Sequence, residues 1–252
     1  MSDWALVLGA SSGFGAAVAR ELARAGLNIA GVHMDRRETL PLAEAVQNDV
    51  TQAGREALFF NGNAADALKR GEILDALSGR TVRVLFHSLA FGSLKPLVGE
   101  DSATQRQIEM TVDVMGHSLV YWARDLAARG MMGQGGRIYA MTSEGSTRAI
   151  PRYGPVSAAK AVLEAHIRQL AVELAPFGIT ANALLAGVTD TAALRKIPDH
   201  DRLLENALLR NPQGRLTTPE DIARCVSALI GEGTAWMTGN TIRIDGGEGT
   251  AG

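Results

Sequence analysis

Short apolar runs alternate with longer amphipathic segments along this chain of 252 residues, and the alternation restricts its fold more than any other feature. A short apolar run bounded by turn residues predicts a buried strand, whereas apolar residues at three- and four-residue steps predict a helix. Because helical segments lie between successive strands, we expect a parallel sheet with both faces covered. The predicted strands are Trp4 to Leu8, Asn28 to His33, Glu56 to Asn61, Val82 to His87, Gly136 to Met141, Thr180 to Leu184 and Thr241 to Ile244.

This pattern predicts a single α/β domain over residues 1–252, with a doubly wound, Rossmann-type sheet of about seven strands. The length of the chain and its 46% hydrophobic content suffice for one large core. In such folds, ligands bind beyond the carboxyl ends of the strands, so residues at those ends are the candidates for function.

Charge and cysteine content argue against several classes of protein. Lys plus Arg number 25 against 27 Asp plus Glu, so we predict no nucleic-acid or membrane-surface partner. Cys225 is the only cysteine, which excludes an intrachain disulfide and fits a reducing cytoplasm. The histidines are scattered without metal-ligand spacing, and we predict no metal. We also expect neither a secretory leader nor a membrane-spanning run of about 20 apolar residues.

A glycine-rich turn joins the first predicted strand to a predicted helix, Ala16 to Ala25, with the spacing Gly-x3-Gly-x-Gly. Glycine lets the backbone approach a pyrophosphate closely, and the amino terminus of the helix offers unpaired N–H groups to the anion. We therefore predict a dinucleotide site here. Its contacts would be Gly9, Ser11, Ser12, Gly13, Phe14 and Gly15.

A tyrosine and a lysine form the second feature. Six residues separate Tyr153 from Lys160, at the start of a helix predicted to begin near Gly154. Seven steps of about 100° return almost to the same helix face. The phenol and the ammonium would therefore lie about two turns apart, or roughly 10 Å along the axis.

Together these residues resemble the short-chain dehydrogenase/reductase family. Its commonest members carry Tyr-x3-Lys, whereas Tyr-x6-Lys is typical of its enoyl-acyl-carrier-protein reductase branch. Val156 stands where the common spacing would place tyrosine. The segments His87-Ser-Leu-Ala-Phe91 and Arg148-Ala-Ile-Pro151 also resemble that branch, in particular an NADPH-dependent subset that otherwise looks like ketoacyl reductases. Ser143 departs from the many members with a second tyrosine there and matches the serine of ordinary short-chain enzymes.

The resemblance implies an oxidoreductase of fatty acid synthesis that transfers a hydride from NADPH to the C=C bond of a trans-2-enoyl thioester. Tyr153 would hydrogen-bond the thioester oxygen as enolate charge develops there. Lys160 would hold the nicotinamide ribose and favour the ionised phenol. Ser143 would either donate a hydrogen bond to the thioester carbonyl or brace the end of its strand. The alternatives are a carbonyl or 3-ketoacyl reductase and, from another class, a non-catalytic nucleotide-binding protein.

The choice of cofactor depends on the end of the second strand. His33 stands where NAD-preferring relatives usually carry an acidic ribose ligand, and Arg36 and Arg37 are suited to pair with a 2′-phosphate. Against this, Asp35 is adjacent and Ser12 replaces an arginine found in many NADP-dependent relatives. The two arginines would otherwise be solvated residues at a helix start. We predict NADPH, with NADH as the alternative.

The resemblance also assigns the remaining contacts. His87 is interpreted as a strand-end residue held by backbone hydrogen bonds, with a general base as the alternative. Residues 188–215 would form a substrate lid, although an amphipathic helix packed on the core predicts the same apolar pattern. The resemblance further implies an acyl thioester, on acyl-carrier protein or CoA, as partner and a homo-oligomer, expected to be a tetramer, as assembly. The further cofactor contacts are Asn63, Ala64, Ser88, Leu89, Ala90, Lys160, Gly187, Val188 and Thr191, and the substrate contacts are Phe91, Tyr153, Leu194, Ile197 and Leu203.

Overall fold

The computed structural model describes residues 3–251, so the extreme ends of the predicted domain lie outside the described residues. Within them, seven strands alternate with eight α-helices. The strands are β1 (Trp4–Leu8), β2 (Asn28–His33), β3 (Ala57–Asn61), β4 (Val82–His87), β5 (Arg137–Thr142), β6 (Thr180–Ala186) and β7 (Thr241–Ile244). The helices are α1 (Gly13–Arg24), α2 (Leu40–Gln52), α3 (Ala67–Ala76), α4 (Gln105–Val112), α5 (Ser118–Ala128), α6 (Gly154–Glu173), α7 (His200–Arg210) and α8 (Pro219–Leu229).

All seven strands form one parallel sheet in the order β3-β2-β1-β4-β5-β6-β7. The chain direction across the sheet reverses between β1 and β4, whose carboxyl ends meet where Leu8 pairs with His87. A crevice at such a reversal is the usual ligand site of a doubly wound fold. The predicted fold class is confirmed, and this crevice is the place to look for chemistry.

The core lies on both faces of the sheet. One face packs against α3, α5 and α6 around Trp122, and the other packs against α1, α2 and α8 around Phe86. Every residue of β1, β2 and β5 is buried, as expected for strands covered on both sides. None of the helices among residues 3–251 has the length and apolar character needed to cross a membrane.

Several predicted boundaries differ from the structure by one to three residues. Helix α1 begins at Gly13 rather than Ala16, because two of the loop glycines are already helical. Strand β6 runs on to Ala186 instead of ending at Leu184, because Ala186 pairs with Ile244 of β7. That pairing depends on a strand more than fifty residues later, which no local pattern reports.

A π-helical turn, Asp113–His117, interrupts the long helix made by α4 and α5. It packs against α6, where the Cβ of any residue at Gly116 would lie 3.0 Å from the Ala159 carbonyl oxygen. This close approach packs the first half of α6 against the π-helical turn. It thereby sets the position of α6 relative to the carboxyl end of β5.

Candidate active site

The glycine loop fits tightly against the neighbouring strand end. Gly9 has a positive φ of 90°, and a Cβ at this position would collide with the carbonyl oxygen of Ser88. A Cβ at Gly15 would collide in turn with the carbonyl oxygen of Gly9. Both positions therefore require glycine, and together they bring the loop into contact with the segment after β4.

The amino terminus of α1 is open for an anion. Ser12 is its N-cap residue, but the Ser12 side chain makes no capping hydrogen bond, and the first turn contains no acidic residue. Thr191, from the loop after β6, lies beside this turn, with its Cγ2 3.7 Å from the position of a Cβ at Gly13. Two predicted cofactor contacts, Gly13 and Thr191, are therefore neighbours in the structure. The helix terminus beside them is suited to bind a phosphate.

A cleft runs from the glycine loop along the ends of β2 and β3. It gathers seven of the predicted cofactor or substrate contacts, and four other residues complete its wall. The predicted residues lining it are Gly9, Ser11, His33, Asn63, Ala64, Leu89 and Phe91. Asn63 lines this cleft, and its side chain is held in place because its Oδ1 accepts a hydrogen bond from the Ala65 N–H at 2.9 Å.

The end of β2 carries a histidine–carboxylate pair that the sequence did not predict. His33 is buried, and its Nδ1 lies 2.9 Å from Oδ2 of Asp35. Asn61 holds the backbone of Asp35 from both sides, donating to its carbonyl and accepting from its N–H. Burial raises the pKa of the Asp35 carboxyl, but hydrogen bonds from Ser11, Thr39 and His33 outweigh it and leave the pKa lowered.

Arg36 and Arg37 follow this pair and are exposed to solvent. Within residues 3–251 neither guanidinium pairs with a carboxylate. Both arginines therefore remain available to an anion beyond the end of β2, while the adjacent Asp35 is already engaged with His33.

Tyr153 is the N-cap residue of α6, and its ring packs on the turn after β5. A Cβ at Gly145 would lie 2.8 Å from Cε1 of the ring. Burial raises the pKa of the Tyr153 phenol, and the nearby Ser143 hydroxyl offsets only part of the rise. Ser143 Oγ is buried and makes no well-aligned hydrogen bond within the described chain. The phenol is therefore protonated at neutral pH and can act as a hydrogen-bond donor.

The residue before Tyr153 adopts an unusual conformation. Arg152 has a positive φ of 59°, which costs a non-glycine residue about 1 kcal/mol or more. Its Nη2 donates to Asp101 at 2.8 Å, and the other carboxylate oxygen of Asp101 accepts from Lys95 at 2.9 Å. The loop after β4 is thereby tied to the start of α6, beside the Tyr153 phenol.

Lys160 is buried two turns along α6. Its Nζ donates to the backbone carbonyl of Met141 at 2.7 Å, and burial lowers its pKa to about 8. Glu164, one turn further, opposes that shift and accepts a hydrogen bond from Thr142 at 2.6 Å. In the protein without cofactor, burial and not Lys160 sets the pKa of Tyr153, so the expected ionised phenol is not the ground state.

His87 lies fully buried at the end of β4. Ser118 Oγ donates to the Val114 carbonyl at 2.7 Å, so it accepts from His87 Nε2 at 2.8 Å. Burial and the charge of Lys160 lower the pKa of His87 to about 3, which keeps the imidazole neutral. A histidine with this pKa is a poor base at neutral pH. The predicted backbone hydrogen bonds are not what holds it: its partner is the Ser118 side chain, and Nδ1 has no hydrogen-bond partner among residues 3–251.

Val156 occupies a closely packed apolar cluster. It is 3% exposed and contacts Val114, Met115 and Ala159 in a small core of its own. A Cβ at Gly92 would lie 3.0 Å from its Cγ2, so the loop after β4 also rests on it. A tyrosine ring in the common short-chain position has no room here, and Tyr153 is the phenol that this site presents.

Half of the predicted lid, residues 188–215, is helical. Between Gly187 and Arg215 it contains a short 3-10 turn at Leu194–Lys196 and helix α7. The predicted substrate contacts Leu194, Ile197 and Leu203 are partly buried, while Phe91 across the cleft is 50% exposed. Leu97 was not predicted, yet it packs on Gly154 next to Tyr153, where a Cβ would meet its Cγ at 2.6 Å.

The nicotinamide-side loop after β6 is held by the end of the chain. The Val188 N–H, a predicted carboxamide contact, instead donates to Oε2 of Glu248 at 3.0 Å. A Cβ at Gly187 would lie only 2.7 Å from that same oxygen. Sequence reasoning missed Glu248, because its only signal was one carboxylate after a glycine pair near the end of the chain.

These features fit a nicotinamide dinucleotide. A Cβ at Gly9 or Gly15 would fill the loop, and the first turn of α1 contains no acidic residue. Among residues 3–251, the buried Ser143 Oγ has no well-aligned hydrogen-bond partner. Residues 3–251 contain no group of three or more His, Cys, Asp or Glu side chains placed to hold a metal ion.

Comparison with known proteins agrees with this geometry. The family model described as Enoyl-(Acyl carrier protein) reductase matches residues 9–248. The chain is 28% identical over 244 residues to 1-cyclohexenylcarbonyl-CoA reductase of Streptomyces collinus, covering 96% of this chain and 85% of that protein. It is 28% identical over 224 residues to the enoyl-acyl-carrier-protein reductase (NADH) of Escherichia coli K12, covering 84% of each.

Solved structures include a similar chain, the short-chain dehydrogenase/reductase from Serratia marcescens. The two superpose with a TM-score of 0.84 at 26% identity, over 98% of this chain and 97% of that one. The similarity therefore extends over the whole fold, including the glycine loop, the Tyr153 helix and the lid.

Proposed function

Because this chain belongs to the enoyl-(acyl carrier protein) reductase family within the short-chain dehydrogenases/reductases, we propose that it reduces the C=C bond of a trans-2-enoyl thioester. It is an oxidoreductase of the enoyl reductase type, and its electrons come from a reduced nicotinamide cofactor. The resemblance inferred from the glycine loop and the Tyr-x6-Lys spacing is confirmed at the level of the family.

The single observation that carries the proposal is the position of the phenol. Tyr153 supplies the site with its hydroxyl donor, and close packing around Val156 excludes a second phenol from the position that carbonyl reductases of this superfamily use. Tyr153 lies further from Lys160 than a tyrosine at the common spacing would. Its hydroxyl therefore suits the carbonyl oxygen of an enoyl thioester, which is not on the hydride-accepting carbon, better than the oxygen of a carbonyl that itself accepts the hydride.

The proposed reaction uses the residues as follows. When bound, the cofactor supplies a hydride, which the β-carbon of the enoyl thioester accepts. Negative charge then moves to the thioester oxygen, where the protonated phenol of Tyr153 donates a hydrogen bond to it. The α-carbon finally takes up a proton, which completes the saturated thioester.

Lys160 and Ser143 support that step. The ammonium of Lys160, anchored on the Met141 carbonyl, would hold the hydroxyls of the nicotinamide ribose. The unpaired Ser143 Oγ lies beside the phenol, where it can orient the Tyr153 hydroxyl or donate to the thioester carbonyl. In both roles the side chain forms hydrogen bonds, and the backbone conformation does not have to change.

We propose NADPH as the preferred cofactor. Exposed Arg36 and Arg37, free of carboxylate partners among the described residues, support recognition of a 2′-phosphate. Asp35 does not oppose it strongly, because its carboxylate already accepts hydrogen bonds from Ser11, Thr39 and His33. NADH remains a weaker second cofactor in this proposal.

The proposal extends to the acyl group and the assembly. Phe91, Leu97 and the lid residues Leu194, Ile197 and Leu203 would line the acyl channel, with acyl-carrier protein or CoA as carrier. A homo-tetramer in the cytoplasm is proposed as well. Support for assembly comes from the apolar surface left open, with Trp236 98% and Val172 71% exposed.

The test compares two thioesters and two tyrosine positions. NADPH oxidation, followed by absorbance, should be fast with crotonyl thioester and slow with acetoacetyl thioester. Tyr153→Phe should lower turnover about a hundredfold, the typical effect of removing one oxyanion donor, with little change in cofactor affinity. Adding Val156→Tyr to that variant should not restore enoyl reduction. Faster reduction of acetoacetyl thioester, or near-normal turnover by Tyr153→Phe, would reject the proposed function.

A further inference from the structure

A buried carboxylate near the end of the chain bridges two parts of the site that are far apart in sequence. Glu248 is 2% exposed, yet its two oxygens face different elements. Oε2 accepts from the backbone N–H of Val188, in the loop after β6, at 3.0 Å. Oε1 lies 3.3 Å from Nη2 of Arg210, the last residue of α7.

The tail itself does not need Glu248 to hold its shape. Asp245 caps the turn, accepting from the N–H groups of Gly247 and Gly249 at 2.9 Å each. Asn211 donates to the Asp245 carbonyl at 3.0 Å, and Arg243 joins Asp245 to Glu144. Because these contacts already fix the backbone of the tail, the carboxylate of Glu248 is free to serve the loop and the helix.

The packing around Glu248 leaves no room for a side chain at position 187. A Cβ at Gly187 would lie 2.7 Å from Oε2 of Glu248 and would collide with Thr217 Oγ1. In the part of the chain that the structure describes, Glu248 is the carboxylate that pairs with Arg210. The loop after β6 and the end of α7 are thus connected through one side chain.

We propose that Glu248 is a positioning residue that couples the lid helix α7 to the loop 187–191 on the nicotinamide side of the site. This inference rests on the proposed function and extends it, because it states how the lid is held in register with the cofactor loop. A shift of α7 moves Arg210, and through Glu248 it pulls on the Val188 N–H. Lid position and the fit of the nicotinamide end are therefore linked.

The bridge requires the ionised carboxylate. Burial raises the pKa of Glu248, and the charges of Glu144 and Asp245 add to the rise, while the Val188 N–H and Arg210 oppose it. As pH falls through this raised pKa, the carboxylate gains a proton and its attraction to Arg210 is lost. The Michaelis constant for the thioester should therefore rise on the acid side.

A double-mutant cycle tests the coupling. Glu248→Gln keeps the size of the side chain and an oxygen for the Val188 N–H but removes the charge, and Arg210→Gln removes the other partner. Each single variant should speed hydrogen exchange in α7 about tenfold and raise the thioester KM about tenfold, with kcat changed less. The double variant should be no worse than either single one, because both break the same contact.

Arg224→Gln is the matched control. It removes an arginine of α8 that pairs with Asp221 at the surface, where its side chain is 63% exposed. Exchange in α7 and the thioester KM should stay at the wild-type values. Glu248→Gln should also lack the acid-side rise in KM that the wild-type protein shows.

Three outcomes would overturn the coupling. They are additive effects in the double variant, unchanged exchange in α7 of either single variant, and an acid limb of KM that persists in Glu248→Gln. A lower melting temperature with unchanged kinetics would likewise mean a purely structural carboxylate. Because exchange in α7 is measured without cofactor or substrate, it tests the bridge even if the wild-type protein fails to reduce enoyl thioesters.

Discussion

Gly145→Ala is expected to displace the Tyr153 phenol, which we propose to be catalytic, by a distance that the structure specifies. The new Cβ would lie 2.8 Å from Cε1 and 2.9 Å from Cδ1 of Tyr153, and 3.0 Å from Ser157 Oγ. Ordinary carbon–carbon contacts are about 3.5–4.0 Å, so the ring must move away by roughly 1 Å. Gly145 is not among the glycines with positive φ, so alanine is tolerated by the backbone and the clash is the whole effect.

A displacement of about 1 Å in a reacting group can cost roughly a hundredfold in rate. We therefore expect Gly145→Ala to lower kcat for crotonyl thioester about a hundredfold while cofactor binding stays near the wild-type value. Adding Tyr153→Phe should then cost much less than it does alone, because the hydroxyl is already misplaced.

Steady-state NADPH oxidation gives kcat, and quenching of protein fluorescence gives cofactor affinity. Gly71→Ala is the matched control, because a Cβ at Gly71 in α3 meets nothing within 4 Å. It should leave turnover unchanged and stabilise the helix by up to about 1 kcal/mol. If Gly145→Ala turned over at the wild-type rate while folded, the inferred packing of the phenol would be refuted.

Three further predictions concern the cofactor, the lid and the lysine. Replacing Arg36 and Arg37 by alanine should weaken NADPH binding more than NADH binding, by about 1–3 kcal/mol in calorimetry; equal losses would reject 2′-phosphate recognition. Changing Leu203 and its partly buried neighbour in α7, Leu204, to alanine should reduce kcat/KM for long-chain thioesters more than for crotonyl thioester. An unchanged chain-length profile would mean that both leucines only pack against the core. Because burial lowers the pKa of Lys160 from 10.5 to about 8, kcat/KM should fall as pH rises through about 8. Over pH 8 to 10.5 the unfolded chain binds more protons at this lysine, so the free energy of unfolding relative to Lys160→Met should rise with pH. A flat difference would contradict the lowered pKa.

Much of the fold follows from short-range patterns in the sequence. Apolar runs such as Asn28 to His33 and Val82 to His87 coincide with β2 and β4, because strand formation there follows from residues within each run. The glycine spacing likewise predicted a loop that only glycine can form, and the Tyr-x6-Lys spacing predicted the register of α6. Boundaries were less predictable where, as at Ala186, a later strand provides the pairing.

The contacts between distant segments are a property of the tertiary structure. The Val188 N–H meets Glu248 from sixty residues away, and Thr142 meets Glu164 from across the strand-to-helix turn. The pKa of Lys160 likewise depends on burial, which no spacing reports. The sequence alone determined the fold class and predicted a cofactor loop, because periodicity and turn chemistry act over a few residues. The roles of Tyr153 and Lys160 are predictions that come from the family resemblance. The tertiary fold decided which buried charged groups contact each other and how α7 is connected to the loop after β6. These residues come together only after the strands and helices have packed.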